Sequence, residues 1–279
     1  MNTKKVWLVT GASKGLGLTL VKKLLFNGYR VAATSRYVQL LTDEVGSKSE
    51  WFLPLEMNLV DSENVKEAVA KCVAHFGQID VVVNNAGFGL IGTLEELSDA
   101  EVKTNFDVNV FGSLNVIRHA APYLRQQKSG YIFNIASVGG YSGGFPGFGI
   151  YCATKFAVAG FTEGLAEEMK DFAVHVSVVY PGYFRTDFLT GGSAKTASNP
   201  IADYKSARAS EQAHLNDING NQPNDPEKAA EILIEISELQ NPPVHLFLGK
   251  DAYTVAEQKI AAIQQTMAEY YDIGTSTAL

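Results

Sequence analysis

Cysteine is almost absent: the 279 residues include only Cys72 and Cys152. The first lies inside a helical pattern and the second sits beside a tyrosine, so no disulfide framework is indicated and a reducing, cytoplasmic setting is expected. No Cys/His spacing matches a zinc site, and no metal is expected. Long apolar runs are missing too. No stretch could span a bilayer, and the run beginning at Val6 after Lys4-Lys5 ends at Thr10-Gly11, far short of a secretory leader. Runs of Lys and Arg interleaved with aromatics are also lacking. With 30 acidic against 23 basic residues the net charge is −7, which argues against a nucleic-acid partner. There is no repeat and no low-complexity tract. What remains is ordinary globular composition, 46% hydrophobic and 19% charged, at a length that suits one large α/β domain.

Val6-Trp7-Leu8-Val9-Thr10 reads as a strand, and the segment Gly11-Ala12-Ser13-Lys14-Gly15-Leu16-Gly17 as the tight turn into a helix ending near Asn27. Glycines let backbone approach a ligand closely, and a helix N-terminus offers unpaired N–H groups to phosphate. On its own the turn is equally a ligand-free strand-to-helix connection. The second strand, residues 30–34, is followed by Ser35-Arg36 with no acid at its end. An acid there would hydrogen-bond the ribose of NAD, whereas Arg can pair with the 2′-phosphate of NADP. With Lys14 in the phosphate turn, the pair of cations points to NADP(H), the alternative being two solvated surface charges.

Further alternation follows. Residues 51–55 form a strand, Asp61 or Ser62 caps a helix to Phe76, and Val81-Val82-Val83 delivers Asn84-Asn85-Ala86-Gly87 at a strand end. Ser98 and Glu101 have the form of a capping box opening a helical region through Leu124 that contains Asn109, a residue type that within a helix usually faces solvent. Residues 131–135 are a strand leading to Ser137 and a glycine-rich loop. The helix from Tyr151 to Phe172 and the strand from His175 to Tyr180 come next, broken by Pro181-Gly182. Strands alternating with helices imply a parallel sheet with right-handed crossovers.

Tyr151 and Lys155 stand four apart on the helix that starts at Tyr151, so their side chains share a face. A phenol titrates near about 10, and a cation within roughly 4–6 Å lowers it toward the range useful for general acid/base work. The same spacing in isolation also describes a core aromatic beside a solvated charge.

Taken together, Thr10-Gly11-x-x-x-Gly15-x-Gly17, Asn84-Asn85-Ala86-Gly87, Asn109, Ser137, Tyr151-x-x-x-Lys155 and Pro181-Gly182-x-x-x-Thr186 resemble the short-chain dehydrogenase/reductase family over residues 6–187. The resemblance implies a Rossmann-like, doubly wound parallel sheet with helices on both faces, in a single domain spanning residues 1–279. It further implies a substrate lid at 188–225 and a C-terminal helix-strand-helix at 226–279. It implies Tyr151 as the general acid/base, Lys155 as the group that lowers its pKa and holds the nicotinamide ribose, Ser137 as the carbonyl-orienting hydroxyl, and Asn109 as the holder of a water in a proton relay. It assigns the glycine turn with Ser13, Lys14 and Leu16 to the pyrophosphate, and Asn85, Ala86 and Gly87 to the adenosine. Pro181, Gly182 and Thr186 fall to the nicotinamide, and homodimers or homotetramers are expected through the helices around 111–124 and 151–172.

Asn58, next to Leu59, stands where the family often has Asp, and the spacer from Ser137 to Tyr151 is one residue longer than usual. Tyr183, Phe184, Phe188 and Leu189, with Tyr141, Phe145 and Phe148 across the cleft, would give an aromatic mouth suited to a bulky hydrophobic ketone or aldehyde, the equal alternative being that most of these rings simply pack under the lid. The Leu-Gly-x-Asp-Ala ending at residues 248–252 looks most like the hydroxysteroid and retinol dehydrogenase-like branch. The expected activity is NADP(H)-dependent interconversion of carbonyl and alcohol. The rival reading is a cofactor-binding sensor of the same fold without turnover.

Overall fold

The computed structural model describes residues 4–190 and 192–277. The leader-like start at Met1-Asn2-Thr3 and the last two residues of the tail lie outside them, as does Gly191 in the expected lid.

In chain order the strands are β1 (Val6–Val9), β2 (Arg30–Ser35), β3 (Phe52–Glu56), β4 (Val81–Asn84), β5 (Gly89–Ile91), β6 (Gly130–Ile135), β7 (Val174–Pro181), β8 (Ala194–Thr196) and β9 (His245–Leu248). Seven of them form one parallel sheet in the order β3-β2-β1-β4-β6-β7-β9, and β5 pairs with β8 in a small sheet of their own. The helices are α1 (Gly15–Phe26), α2 (Val38–Val45), α3 (Ser62–Phe76), α4 (Asp99–Phe106) and α5 (Gly112–Gln127). After these come α6 (Gly149–Met169), α7 (Lys205–Gln212), α8 (Pro226–Ser237), α9 (Lys250–Glu269) and α10 (Tyr271–Thr275).

The strands are apolar on both faces because both faces are covered. On β1, Val6 and Leu8 join one core with Val69, Val116 and Leu165 from α3, α5 and α6. Trp7 and Val9 point the other way and pack with Leu20, Leu41 and Leu233 from α1, α2 and α8. Start and stop chemistry follows the sequence closely. Asp61 caps α3, Ser98 and Glu101 close a reciprocal capping box on α4, and Asp225 with Pro226 opens α8.

The strand order reverses between β1 and β4, where doubly wound sheets open a crevice at their carboxyl ends. The segment expected to be a lid has more structure than its composition suggests. It contains β8, α7 and a π-helical turn at Ala213–Ile218. It is tied down across long sequence distances: Glu96 accepts from the Ile201 amide at 2.6 Å and pairs with Arg208 at 2.8 Å, and Glu101 accepts from the Ser198 amide at 3.0 Å. Among the described residues, no helix is long and apolar enough to cross a membrane.

Candidate active site

The first half of the crevice is built from backbone. Gly11 has φ +64°, and a Cβ there would lie 2.6 Å from the Ala86 Cα; one on Gly17 would lie 2.5 Å from the Asn85 side chain. Only glycine permits that approach of turn to strand end. Thr10 stitches the two together: its hydroxyl accepts from the Asn85 and Ala86 amides at 3.1 and 3.2 Å, while Asn85 Nδ2 donates to the Thr10 and Gly11 carbonyls. Unlike α3, α4 and α8, α1 has no side-chain cap and no acid in its first turn. Its N–H groups therefore face the crevice without an internal acceptor, which suits a phosphate. Lys14 and Arg36 border the same end.

The second half is built on β6 and α6. β6 ends in Ile135-Ala136-Ser137, and the turn Val138–Gly140 lies so close to α6 that a Cβ on Gly140 would be 2.6 Å from the Lys155 carbonyl oxygen. That contact sets Ser137 against the Tyr151 face of the helix. Beneath it, Asn84 Nδ2 donates to Asn134 at 2.7 Å, and Asn134 donates to Thr162 of α6 at 3.0 Å, tying the two central strands to the helix.

Tyr151 and Lys155 sit one turn apart near the start of α6, the Lys155 ammonium 5.8 Å from the tyrosine ring centre. The ammonium donates to the Ile135 carbonyl at 2.9 Å. Burial drives its pKa down to about 8. Burial likewise pushes the Tyr151 phenol well above its ordinary value, and the Ser137 hydroxyl pulls it part of the way back. The expectation of a phenol lowered by its neighbouring ammonium is thus corrected for the protein alone. Loss of water around the phenol dominates, because the dry interior penalises the phenolate.

Asn109 departs from the solvent-facing habit of helical asparagines. It lies in a π-helical turn, Asp107–Phe111, between α4 and α5, and is buried. Its amide donates to the Phe88 carbonyl and to Thr154 Oγ1, both at 3.0 Å, and its own carbonyl accepts from the Phe88 amide at 3.0 Å. It thereby fixes the end of the Asn85-Ala86-Gly87 segment against α6.

All of the residues singled out in the sequence, except Gly17, Asn109 and Tyr141, line one continuous cleft of about 370 Å³. Gly17 and Asn109 act from behind its wall. Tyr141 is a correction: its ring packs edge-on against Tyr180 and Phe247, 5.7 and 5.1 Å away, and takes no part in the cleft. The ring packs instead against the small core of Ala136, Val158, Val178 and Tyr180. The sequence reading overlooked Cys152, His214 and Gln222, which also line the cleft. It also overlooked Asp251, which accepts from the Tyr183 amide at 2.7 Å and from Asn224 at 2.8 Å and lies directly against Gly182. The Leu-Gly-x-Asp-Ala ending carried a signal for Asp251; nothing in the sequence marked His214.

Residues 5–196 match the sequence model of the short chain dehydrogenase family. The chain belongs to the short-chain dehydrogenase/reductase family. It is 31% identical over 271 residues to a 3-ketodihydrosphingosine reductase of Bacteroides thetaiotaomicron, covering 95% of this chain and 96% of that one. A solved short-chain dehydrogenase from Streptomyces avermitilis superposes with a TM-score of 0.89 at 32% identity, over 98% of this chain and 100% of that chain. ElxO, solved with NADP bound, gives 0.72 at 27% identity, over 88% and 96%. This short-chain dehydrogenase is accordingly an oxidoreductase, and its cleft fits a nicotinamide dinucleotide. The test lies in its own residues: the glycines that a Cβ would obstruct, the uncapped α1 terminus, and a Tyr-Ser-Lys group with a buried lysine at the far end.

Proposed function

We propose that this enzyme reduces a bulky apolar ketone or aldehyde with NADPH, or oxidises the corresponding alcohol, with Tyr151 as general acid and base. The observation that carries the reading is Tyr151, flanked by Ser137 and the buried Lys155, at one end of a cleft whose other end is the glycine turn. The ketone reductase among its relatives and the NADP held by ElxO agree with it.

The cofactor would be held by the glycine turn and the α1 terminus at its phosphates, by Asn58 and Asn85 to Gly87 at its adenosine, and by Pro181, Gly182 and Thr186 at its nicotinamide. Lys14 and Arg36 would pair with a 2′-phosphate, and no acid lies at the end of β2 to repel it. When bound, it supplies the hydride that the carbonyl carbon accepts.

The protein supplies the proton. A phenol with its pKa raised by burial stays protonated at neutral pH, the form an acid needs. Ser137 Oγ accepts from the Gly139 amide at 3.1 Å, which leaves its own O–H to donate. It would polarise the carbonyl while Tyr151 passes its proton to the oxygen. The Lys155 ammonium would then stabilise the phenolate that remains. Asn109 would hold the wall behind Lys155 and steady a relay water. Phe145, Phe148, Phe188 and Leu189, with Tyr183, would receive the apolar body of the substrate under residues 188–225, which act as its lid. Tyr141 is not part of this surface. Assembly as a homodimer or homotetramer would cover the exposed rings of Phe111 and Phe156. Two free buried thiols suit a cytoplasmic location.

The test is NADPH consumption across aliphatic, aromatic and steroidal ketones and aldehydes, with Tyr151→Phe beside it. Turnover should fall by roughly 10²–10⁴ in the variant while NADPH binding persists. Undiminished turnover in Tyr151→Phe would refute the assignment.

A further inference from the structure

Opposite Tyr151, the cleft wall carries a polar pair that the reaction as proposed leaves unused. Tyr183, just after Pro181-Gly182, and His214, in the π-helical turn of the lid, both line the cavity. The Tyr183 hydroxyl lies 2.9 Å from His214 Nε2, and His214 Nδ1 lies 2.7 Å from the Ser210 carbonyl oxygen. A carbonyl can only accept, so Nδ1 carries the proton. Both partners of the ring are uncharged, and the imidazole is buried against the Phe148 ring, 4.5 Å between centres. In a neutral imidazole Nε2 then offers only a lone pair, and the Tyr183 O–H must donate to it. Its single proton spent, the Tyr183 oxygen presents nothing but lone pairs to the cavity.

Phe145, Phe148, Phe188 and Leu189 line the same cleft, as do the non-aromatic Cys152, Gln222, Ser193 and Lys195, and the Tyr183 hydroxyl is near enough to Tyr151 to oppose its ionisation. A ligand that reaches Tyr151 therefore passes an acceptor whose direction is locked by the lid. We infer that Tyr183 and His214 form a donor-selective subsite, and that the preferred substrate is a bulky apolar ketone or aldehyde bearing a hydroxyl or N–H group on its lid side. The inference rests on the carbonyl-reductase reading for the reaction, though the binding preference can be measured without it. A substrate with an ether or carbonyl at that place would set lone pair against lone pair, whereas a donor completes the bond.

The experiment titrates hydroxytetralones carrying the phenol at each ring position, their methyl ethers and unsubstituted tetralone into the protein by calorimetry, with and without NADP+. At least one hydroxytetralone should bind about tenfold more tightly than both its ether and the parent ketone, a difference of one hydrogen bond. The preference should vanish in Tyr183→Phe. In His214→Leu, where the hydroxyl is released to turn and donate, it should shift toward the ether. Should every hydroxytetralone bind no better than its ether in the wild-type protein, the subsite is wrong. NADPH-driven turnover of the same panel separates the two ideas. Turnover without the preference overturns the subsite and leaves the reductase standing. The preference without turnover supports the subsite and removes the reductase.

Discussion

Lys155→Met should stabilise the cofactor-free protein at neutral pH and lose that advantage in alkali. The ammonium is 5% exposed and its one hydrogen bond goes to a backbone carbonyl, so the fold pays for its charge without a carboxylate in return. Burial brings its pKa from 10.5 to about 8. Between those values the unfolded chain binds a proton that the native state has released, so this residue's contribution to stability rises with pH across that window. Below about 8 both states are charged and the native state bears the whole desolvation cost. The difference between pH 7 and pH 10 comes to about 2 to 3 kcal/mol. Other groups oppose it in the raw curve. The thiols of Cys72 and Cys152 are raised by burial to about 12 and about 11, so their contribution is present below the unfolded thiol pKa and is lost as pH climbs. Urea denaturation of both proteins, at half-unit steps and with both thiols common to the pair, isolates Lys155 in the difference curve. Methionine keeps the aliphatic stem, so packing changes little. A difference that stays flat from pH 7 to pH 10 would show that Lys155 is neither buried nor strained as described.

Three further outcomes test the remaining parts of the site. Arg36→Ala should weaken NADPH by roughly tenfold in a fluorescence titration and leave NADH nearly unchanged; equal losses for both would remove Arg36 from the 2′-phosphate. Asp251→Ala strips the acceptor from the Tyr183 amide and from Asn224, and should cost about 1–3 kcal/mol in urea denaturation. An unchanged midpoint would mean that this carboxylate does not hold the Pro181–Tyr183 turn. Glu96→Gln breaks the pair with Arg208 and should speed proteolysis within residues 192–220 severalfold without shifting global unfolding, the mark of local opening. Cleavage at the wild-type rate would show that the lid is anchored elsewhere.

The glycine turn and the helix starts were legible in the sequence because their signals are local. Gly11 and Gly17 follow a buried strand directly, and the cap residues Asp61, Ser98 and Asp225 sit where each helix must start. Such features need only their immediate neighbours, and the sheet order follows once the strands and helices alternate. Asn109 was placed on the right helix but its burial was not, because a π-helical turn shifts which residues face inward and leaves no mark in hydrophobic period. For Tyr151 and Lys155 the four-residue spacing gave proximity, while the sign of the phenol's shift was set by the depth of burial, a property of the whole fold.

The substrate half depends on contacts between distant parts of the chain. His214 stands in a segment that Glu96 and Glu101 hold at residues 198–208 across more than ninety positions, and that segment shows no apolar period to announce it. This division has a consequence for how the enzyme can change. The backbone turns proposed to cradle the cofactor tolerate almost no side chain, as the 2.5 and 2.6 Å approaches at Gly17 and Gly11 show. Of the groups in the proposed substrate wall, His214 stands on a separate, side-chain-anchored segment outside the main sheet, and Tyr183 follows the end of β7. Replacing Tyr183 or His214 alters the polarity of the wall without touching the strands that carry Ser137 or the helix that carries Tyr151. On the proposed reading, specificity can thus be exchanged while Tyr151 stays in place, and the substrate is to be sought at the segment 188–225 and not in the family motifs.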